Sequence, residues 1–277
     1  MTRYATVEYR GAVRTGAAYP ERGEIELFDP GISMRRIAAG MAPVVRETAA
    51  LDHVTFRPPV PDAGKIVCLA GNYRAHIKES GFEAPSETEY VTPQLFLKPV
   101  TALSAHEGDI VLRPKNAAPG WEVELAVVMG ANGNVFGYTI LNDISERRLN
   151  AAVARRLREM DRFCDWLAGK WFDTFAPCGP WIVRAQDIPD PHALELRLSL
   201  NGEPRQQGNT RDMIARIPEL IDYCSSIMTL EPGDIISTGT PAGAGLGSGD
   251  SVLRPGDEVV CEIEGIGRLC SRVRSSA

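Results

Sequence analysis

The sequence predicts an α+β fold that is mostly β, with a small N-terminal domain or arm over residues 1–60 and a larger domain over residues 64–277. Two kinds of observation support this fold class. Apolar or alternating runs of strand length recur along the chain, and Asn-Gly pairs at Asn132-Gly133 and Asn201-Gly202 mark two hairpin turns. Residues 145–167 form the most helical stretch, and apolar residues between Met213 and Cys224 also recur at helical spacing.

Composition and charge indicate a globular protein without a nucleic-acid partner. The 277 residues carry a formal net charge of −6, which disfavours binding to nucleic acid or to an anionic membrane. No apolar run approaches the length of a membrane span, and the first residues lack the apolar core of a signal peptide. We therefore expect a cytoplasmic protein. The six cysteines include no Cys-x-x-Cys pair, which predicts buried, reduced thiols.

Short strands and turns are predicted for the N-terminal region, with strands near residues 6–10 and 23–28 and a helix over residues 34–41. The proline-rich run at residues 58–61 is rigid and poor in hydrogen-bond donors, so we place the boundary between the two domains there.

A candidate acid–base pair follows the first predicted strand of the larger domain, residues 65–70. The next residues have the character of a helical turn that ends at Gly81, and an i, i+3 spacing puts His76 and Glu79 on one side of it. A histidine held by a carboxylate can serve as a general base, although an incidental surface pair has the same spacing. The polar residues 82–92 are compatible with a mobile flap beside this pair.

The central prediction concerns a hairpin formed by residues 121–130 and 135–143. If Asn132 and Gly133 are its two turn residues, Glu122 faces Asp143, and Glu124 lies on the same face of the sheet. Three clustered carboxylates repel each other unless a cation neutralises them. All-oxygen ligation favours Mg²⁺ first, and Mn²⁺ or Ca²⁺ next. The alternative is that one face of the hairpin is wet and the charges are solvated.

Two later segments carry further candidates. The basic run within residues 145–167 is expected to be the solvated face of a helix, and Lys170 follows it among aromatic residues. That lysine could stabilise a developing oxyanion, or it could extend to solvent. The glycine-rich residues 238–249 lack the signature of a nucleotide loop, but their backbone donors could bind a carboxylate.

Taken together, the motifs resemble the fumarylacetoacetate hydrolase family, in family order from about residue 64 to the end. The matching segments are residues 71–76 with Glu79, 96–99, 121–130, 137–139 with 142–143, 170–180, 201–203, 231–234, 238–241 and 262–267.

The resemblance implies a mixed, rolled β-sheet that carries a metal at its centre, usually in a homodimer. It implies that Glu122, Glu124 and Asp143 bind Mg²⁺ or Mn²⁺ and that the flap closes over the water-activating pair His76 and Glu79. It also implies that Lys170 stabilises negative charge on the substrate. The substrate-binding positions implied by the resemblance are Thr240, Thr174 and Asn150, the last of which replaces a glutamine that family members often carry.

The activity implied by this resemblance is metal-dependent cleavage of the C–C bond of an acylpyruvate or a related 2,4-dioxo acid. The same site, in which a metal would stabilise an enolate, could instead decarboxylate oxaloacetate, or act as a tautomerase or isomerase of a 2-oxo dicarboxylic acid. A non-catalytic scaffold is a third possibility, which the retained site residues disfavour.

Overall fold

The computed structural model describes residues 1–86, 89, 91–246 and 249–276. These described residues form 19 strands, four α-helices and five short 3₁₀ turns. The strands are β1 Arg3–Tyr9, β2 Ala12–Tyr19, β3 Glu24–Phe28, β4 Val45–Ala50, β5 Thr55–Phe56, β6 Ile66–Ala70, β7 Gln94–Lys98, β8 Leu103–Ser104, β9 Asp109–Leu112, β10 Pro119–Gly120, β11 Val123–Met129, β12 Val135–Asn142, β13 Ser145–Glu146, β14 Ala176–Arg184, β15 Glu195–Leu200, β16 Glu203–Asn209, β17 Ile235–Ser237, β18 Glu258–Ile263 and β19 Gly267–Ser275. The helices are α1 Met34–Ala38, α2 Arg74–Glu79, α3 Asp161–Ala168 and α4 Ile217–Ile227.

The fold is α+β and mostly β, as the sequence predicts. The larger sheet has 12 strands, ten of them in the order β4-β3-β2-β1-β14-β12-β11-β17-β6-β7, and a second sheet has five in the order β16-β15-β18-β19-β9. Most pairs are antiparallel, but β17 runs parallel to β6 and β19 runs parallel to β9, so both sheets are mixed. None of the helices in the described residues is long and apolar enough to cross a membrane.

The N-terminal strands are continuous with the larger sheet. Strand β1 pairs with β14 through Arg3 and Tyr4, and β2, β3 and β4 extend the sheet outward from there. The division into a domain over residues 1–60 and a catalytic domain over residues 64–277 remains a prediction.

Strands β11 and β12 form the predicted hairpin in the predicted register. Val123 lies opposite Asn142 and Glu124 lies opposite Leu141. Both turn residues, Asn132 and Gly133, have positive φ angles, the conformation for which Asn-Gly is selected in two-residue hairpin turns. A register shift after Val128 is the one feature of this pairing that the sequence did not indicate.

The two faces of β11 pack against different parts of the core. Val123, Leu125 and Val127 point into the cluster shared with the five-stranded sheet, whereas Ala126 and Val128 belong to the cluster on the other side. Because side chains alternate along a strand, Glu124 shares the face of Ala126 and Val128. The carboxylates therefore lie inside the protein, and the alternative of a wet hairpin face is wrong.

The long helix predicted for residues 145–167 is mostly absent. Only Asp161–Ala168 is helical, and Asn150 has a left-handed φ of 59° that interrupts any helix there. Val153 and Leu157 are 55% and 51% exposed, so a helix in this stretch would have no apolar face to bury.

The turn that carries His76 and Glu79 is helical, as predicted. It is followed by Gly81 at a φ of 84°, and the Phe82 amide donates to the Ile77 carbonyl to close it. The predicted helix over residues 34–41 is shorter in the structure and comprises Met34–Ala38. Residues 87, 88 and 90 of the expected flap and residues 247 and 248 of the glycine-rich segment lie outside the described residues.

Candidate metal centre

The three predicted carboxylates converge in the interior. Glu122, Glu124 and Asp143 are 4%, 1% and 1% exposed, and one oxygen of each lies within 4.8 Å of one oxygen of each of the others. The hairpin register brings the two strands' acidic residues together, and the Asp143 amide donates to the Glu122 carbonyl at 2.9 Å, which holds the ends of the two strands in line. We call these three residues the acidic triad.

Three cationic side chains surround the acidic triad. The Lys170 Nζ lies 3.0 Å from a Glu122 oxygen and 2.6 Å from an Asp143 oxygen. The Lys98 Nζ bonds the other Asp143 oxygen at 2.6 Å, and the Arg147 guanidinium bonds the other Glu122 oxygen. Both lysines are nearly fully buried, and each is paired with a carboxylate of the triad, as buried charges in proteins usually are.

The two glutamates of the triad have opposite electrostatic environments. Burial would raise the pKa of Glu122, but Lys170 and Arg147 together lower it to about 2. Glu124 has no cation bonded to it, so burial and then the charges of Asp143 and Glu122 raise its pKa well above the usual value. The environment of Glu124 therefore disfavours its charged form, and a further cation beside it would favour that form.

Neutral donors fix the orientation of Glu124. The Ser237 hydroxyl and the Gly239 amide both donate to one of its oxygens, at 2.5 and 2.9 Å. Its second oxygen has no hydrogen-bond donor among the described residues. Each triad oxygen retains a lone pair beyond its bond to the protein, so the donor set suits a hard divalent cation.

His76 and Glu79 approach each other at the edge of this site without a hydrogen bond. Their closest atoms, His76 Nδ1 and a Glu79 oxygen, are 3.5 Å apart, and the buried Nδ1 has no hydrogen-bond partner among the described residues. The Glu79 carboxylate instead accepts from the Gly243 amide at 2.9 and 3.0 Å. His76 is nevertheless near enough to Glu122 to lower its pKa.

The glycine-rich segment is tied to the triad strand. The Thr240 hydroxyl donates to the Val123 carbonyl at 2.9 Å and accepts from the Gln206 amide at 2.8 Å. Gly245 approaches Gly120 so closely that a side chain at either position would collide with the opposite backbone. The Thr240 hydroxyl is therefore already engaged by the protein, and the assignment of Thr240 to substrate binding remains a prediction.

Two other predicted positions make contacts away from the triad carboxylates. The Asn150 side-chain amide donates to Asp165 at 2.9 Å, and Arg155 bonds the same carboxylate. The Thr174 hydroxyl accepts from the Val111 amide at 2.8 Å. Their assignment to substrate binding remains a prediction.

Sequence reasoning assigned no role to Lys98 or Arg147. Lys98 lies 45 positions from Asp143 along the chain, and no local spacing connects the two residues. The available signal was its position at the end of the alternating strand β7, where an inward-facing lysine needs a buried acid. Arg147 lies at the start of the predicted helix over residues 145–167, and no local spacing indicates its contact with Glu122, 25 positions away.

Comparison with known proteins agrees with this architecture. The family model for the fumarylacetoacetate hydrolase C-terminal domain matches residues 65–274. The chain belongs to the fumarylacetoacetate hydrolase family.

Members of the fumarylacetoacetate hydrolase family with different names resemble the chain. An uncharacterised protein of Pyrococcus abyssi is 45% identical over 74% of this chain and 88% of its own length. The Bos taurus mitochondrial protein named oxaloacetate tautomerase FAHD2A is 37% identical over 94% of this chain and 80% of its own. The structure of a Sphingobium maleylpyruvate hydrolase with manganese(II) and pyruvate matches with a TM-score of 0.74 and 29% identity, over 99% of this chain and 100% of its own.

Proposed function

We propose that this enzyme is a metal-dependent tautomerase of a 2-oxo dicarboxylic acid, with oxaloacetate as the first candidate substrate. The observation that carries the proposal is the balance of charges: three carboxylates face three cations in a buried site. A divalent cation added to this set leaves two positive charges in excess. A dicarboxylate supplies two negative charges at neutral pH, whereas acetylpyruvate supplies one.

The acidic triad would hold Mg²⁺ or Mn²⁺, which would act as a Lewis acid on the 2-oxo group. The Sphingobium hydrolase bound to manganese supports this assignment, as does the all-oxygen donor set. We expect either of these two ions to bind the acidic triad. We expect Ca²⁺ to bind as well, because its coordination geometry is more flexible.

The chain's own residues would move one proton. Neutral His76 would accept a proton from the carbon next to the 2-oxo group, with Glu79 setting the orientation of its ring. The Lys170 ammonium would stabilise the negative charge that develops on the substrate oxygen. Return of the proton to oxygen completes the exchange between keto and enol forms without adding water.

The tautomerase names of relatives that align with 94% of the chain favour this reaction over hydrolysis. One observation favours the second candidate, C–C cleavage of an acylpyruvate. His76 and Glu79 lie on one helical turn beside the triad, and a 3.5 Å separation can close to a hydrogen bond that would activate water. By analogy with the family we also propose that the enzyme acts as a homodimer on small molecules.

The test separates the reactions by their products. With Mn²⁺ present, the wild-type enzyme should accelerate the decay of the ultraviolet absorbance of enol-oxaloacetate, and it should release little pyruvate from oxaloacetate or acetylpyruvate. His76→Ala and Lys170→Met should each slow this decay by at least about 100-fold, the size of a lost proton-transfer or oxyanion contribution. Lys78→Met, at an exposed position of α2, is the matched control and should retain full activity.

Rapid release of pyruvate from acetylpyruvate, with no acceleration of the enol decay, would overturn the tautomerase proposal and favour the hydrolase. Rapid release of pyruvate from oxaloacetate, again with no acceleration of the enol decay, would favour a decarboxylase.

A further inference from the structure

A second cavity lies at the opposite end of the hairpin from the acidic triad. Its volume is about 430 Å³, and its lining includes Tyr4, Ile37, Met41, Phe136 and Arg184. Phe136 lies near the start of β12 and Asp143 directly follows its end, and seven positions at the rise of an extended strand place the cavity about 23 Å from the triad. It is therefore separate from the site described above.

Arg184 is the polar feature of this cavity. Among the described residues, no carboxylate lies within 4.0 Å of its guanidinium, and its buried Nε has no hydrogen-bond partner. The guanidinium groups of the largely buried Arg14 and Arg147, in contrast, pair with the carboxylates of Glu47 and Glu122, although the Arg14 Nε also has no partner among the described residues. A partly buried guanidinium that lacks an acid is costly, and an anion from solution would compensate its charge.

The wall beside Arg184 is flat and aromatic. The rings of Tyr4 and Phe136 stack with their centres 5.6 Å apart and an interplanar angle of 17°. Phe28 packs edge-on against Tyr4 at 5.9 Å and holds it in place. An apolar, preformed cavity with one cation at its side has the character of a small-molecule site.

We propose that this cavity binds a small organic carboxylate with a flat apolar body, the carboxylate on Arg184 and the body against Tyr4 and Phe136. The inference does not depend on the proposed function, because none of these residues belongs to the acidic triad or its cations.

The experiment is a calorimetric titration of the full chain with benzoate in excess chelator, so that no divalent ion at the triad can bind the probe. Wild type should bind one benzoate per chain. Arg184→Gln should weaken binding by at least about tenfold through the lost charge, and acetate should bind more weakly than benzoate to wild type. Ala42→Phe, at an exposed residue that lines the cavity, should weaken binding to a similar degree by filling it.

Two control variants locate the site. Arg211→Gln changes an exposed arginine outside the cavity and should leave benzoate affinity unchanged. Lys170→Met changes the triad's surroundings and should also leave it unchanged. Absence of benzoate binding to wild type, or equal affinity in wild type, Arg184→Gln and Ala42→Phe, would overturn the proposal, as would loss of binding in Lys170→Met alone.

Discussion

Two buried acidic sites lie at opposite ends of the β11–β17 strand pair, and they differ in what neutralises them. Asp234, which is 0% exposed, accepts bonds from the Lys65 ammonium and from the amides of Lys65 and Glu231, so one carboxylate meets a full set of donors. The acidic triad gathers three carboxylates, and its member Glu124 has no bonded cation. The comparison teaches that a single buried carboxylate with a full set of donors has a structural role. Several converging carboxylates with too few donors indicate instead a binding site for a ligand.

The largest effect is expected for Glu124→Gln. Turnover should fall by more than about 100-fold. Losing a side chain that binds the metal lowers activity more than losing a residue that only hydrogen-bonds to such a side chain. In metal-free protein the melting temperature should stay the same or rise, since the substitution removes repulsion from Asp143 and Glu122 while Ser237 and Gly239 can still donate to the side chain. A marked loss of stability in metal-free Glu124→Gln would show that the triad is structural.

Asp234→Asn should have the opposite pattern to Glu124→Gln: it should lower stability and leave activity in place. It leaves the Lys65 ammonium without its acid, and we expect a loss of about 2 to 3 kcal/mol of unfolding free energy, below the usual cost of a broken buried pair because Lys65 is partly exposed. Activity of the folded protein should be retained. Denaturant unfolding and turnover measured on the same samples would check both statements, and a loss of turnover without a loss of stability would contradict the comparison.

The smallest effect concerns His106, outside both acidic sites. Burial lowers its pKa, and its Nδ1 accepts from the Cys270 amide, so the folded state favours the neutral ring. Its contribution to stability is therefore present above the unfolded pKa of about 6.5 and is lost as the pH falls through the lower folded pKa.

The measurement for His106 is the melting temperature of wild type and His106→Gln between neutral and mildly acidic pH. Wild type should lose more stability than the variant across this range. If the variant loses as much stability as wild type, the acid sensitivity of the protein arises from the carboxylate sites instead.

The strands, the hairpin register and the convergence of the triad could be predicted because they depend on local spacing. Side-chain alternation and an Asn-Gly turn were enough to put Glu122, Glu124 and Asp143 on one face. The burial of that face could not be inferred, because it depends on strands distant in sequence. Ser237, which orients Glu124, is 113 positions away from it.

The stretch before α3 shows why helix propensity failed. Ala151 and its neighbours favour a helix, but the arginines here pair with acids at the start and middle of α3, Arg158 with Asp161 and Arg155 with Asp165. These contacts hold the chain in turns, and the apolar residues of this stretch are exposed, so they provide no packing that would stabilise a helix. Local side-chain pairs therefore outweighed helix propensity in this segment.

The most direct test is calorimetric titration of Mn²⁺ into metal-free wild type and Glu124→Gln. The account predicts one bound ion per chain in wild type, a rise in melting temperature with added Mn²⁺, and neither effect in the variant. Equal binding in both proteins, or none in wild type, would contradict the claim that the three converging carboxylates form a metal site.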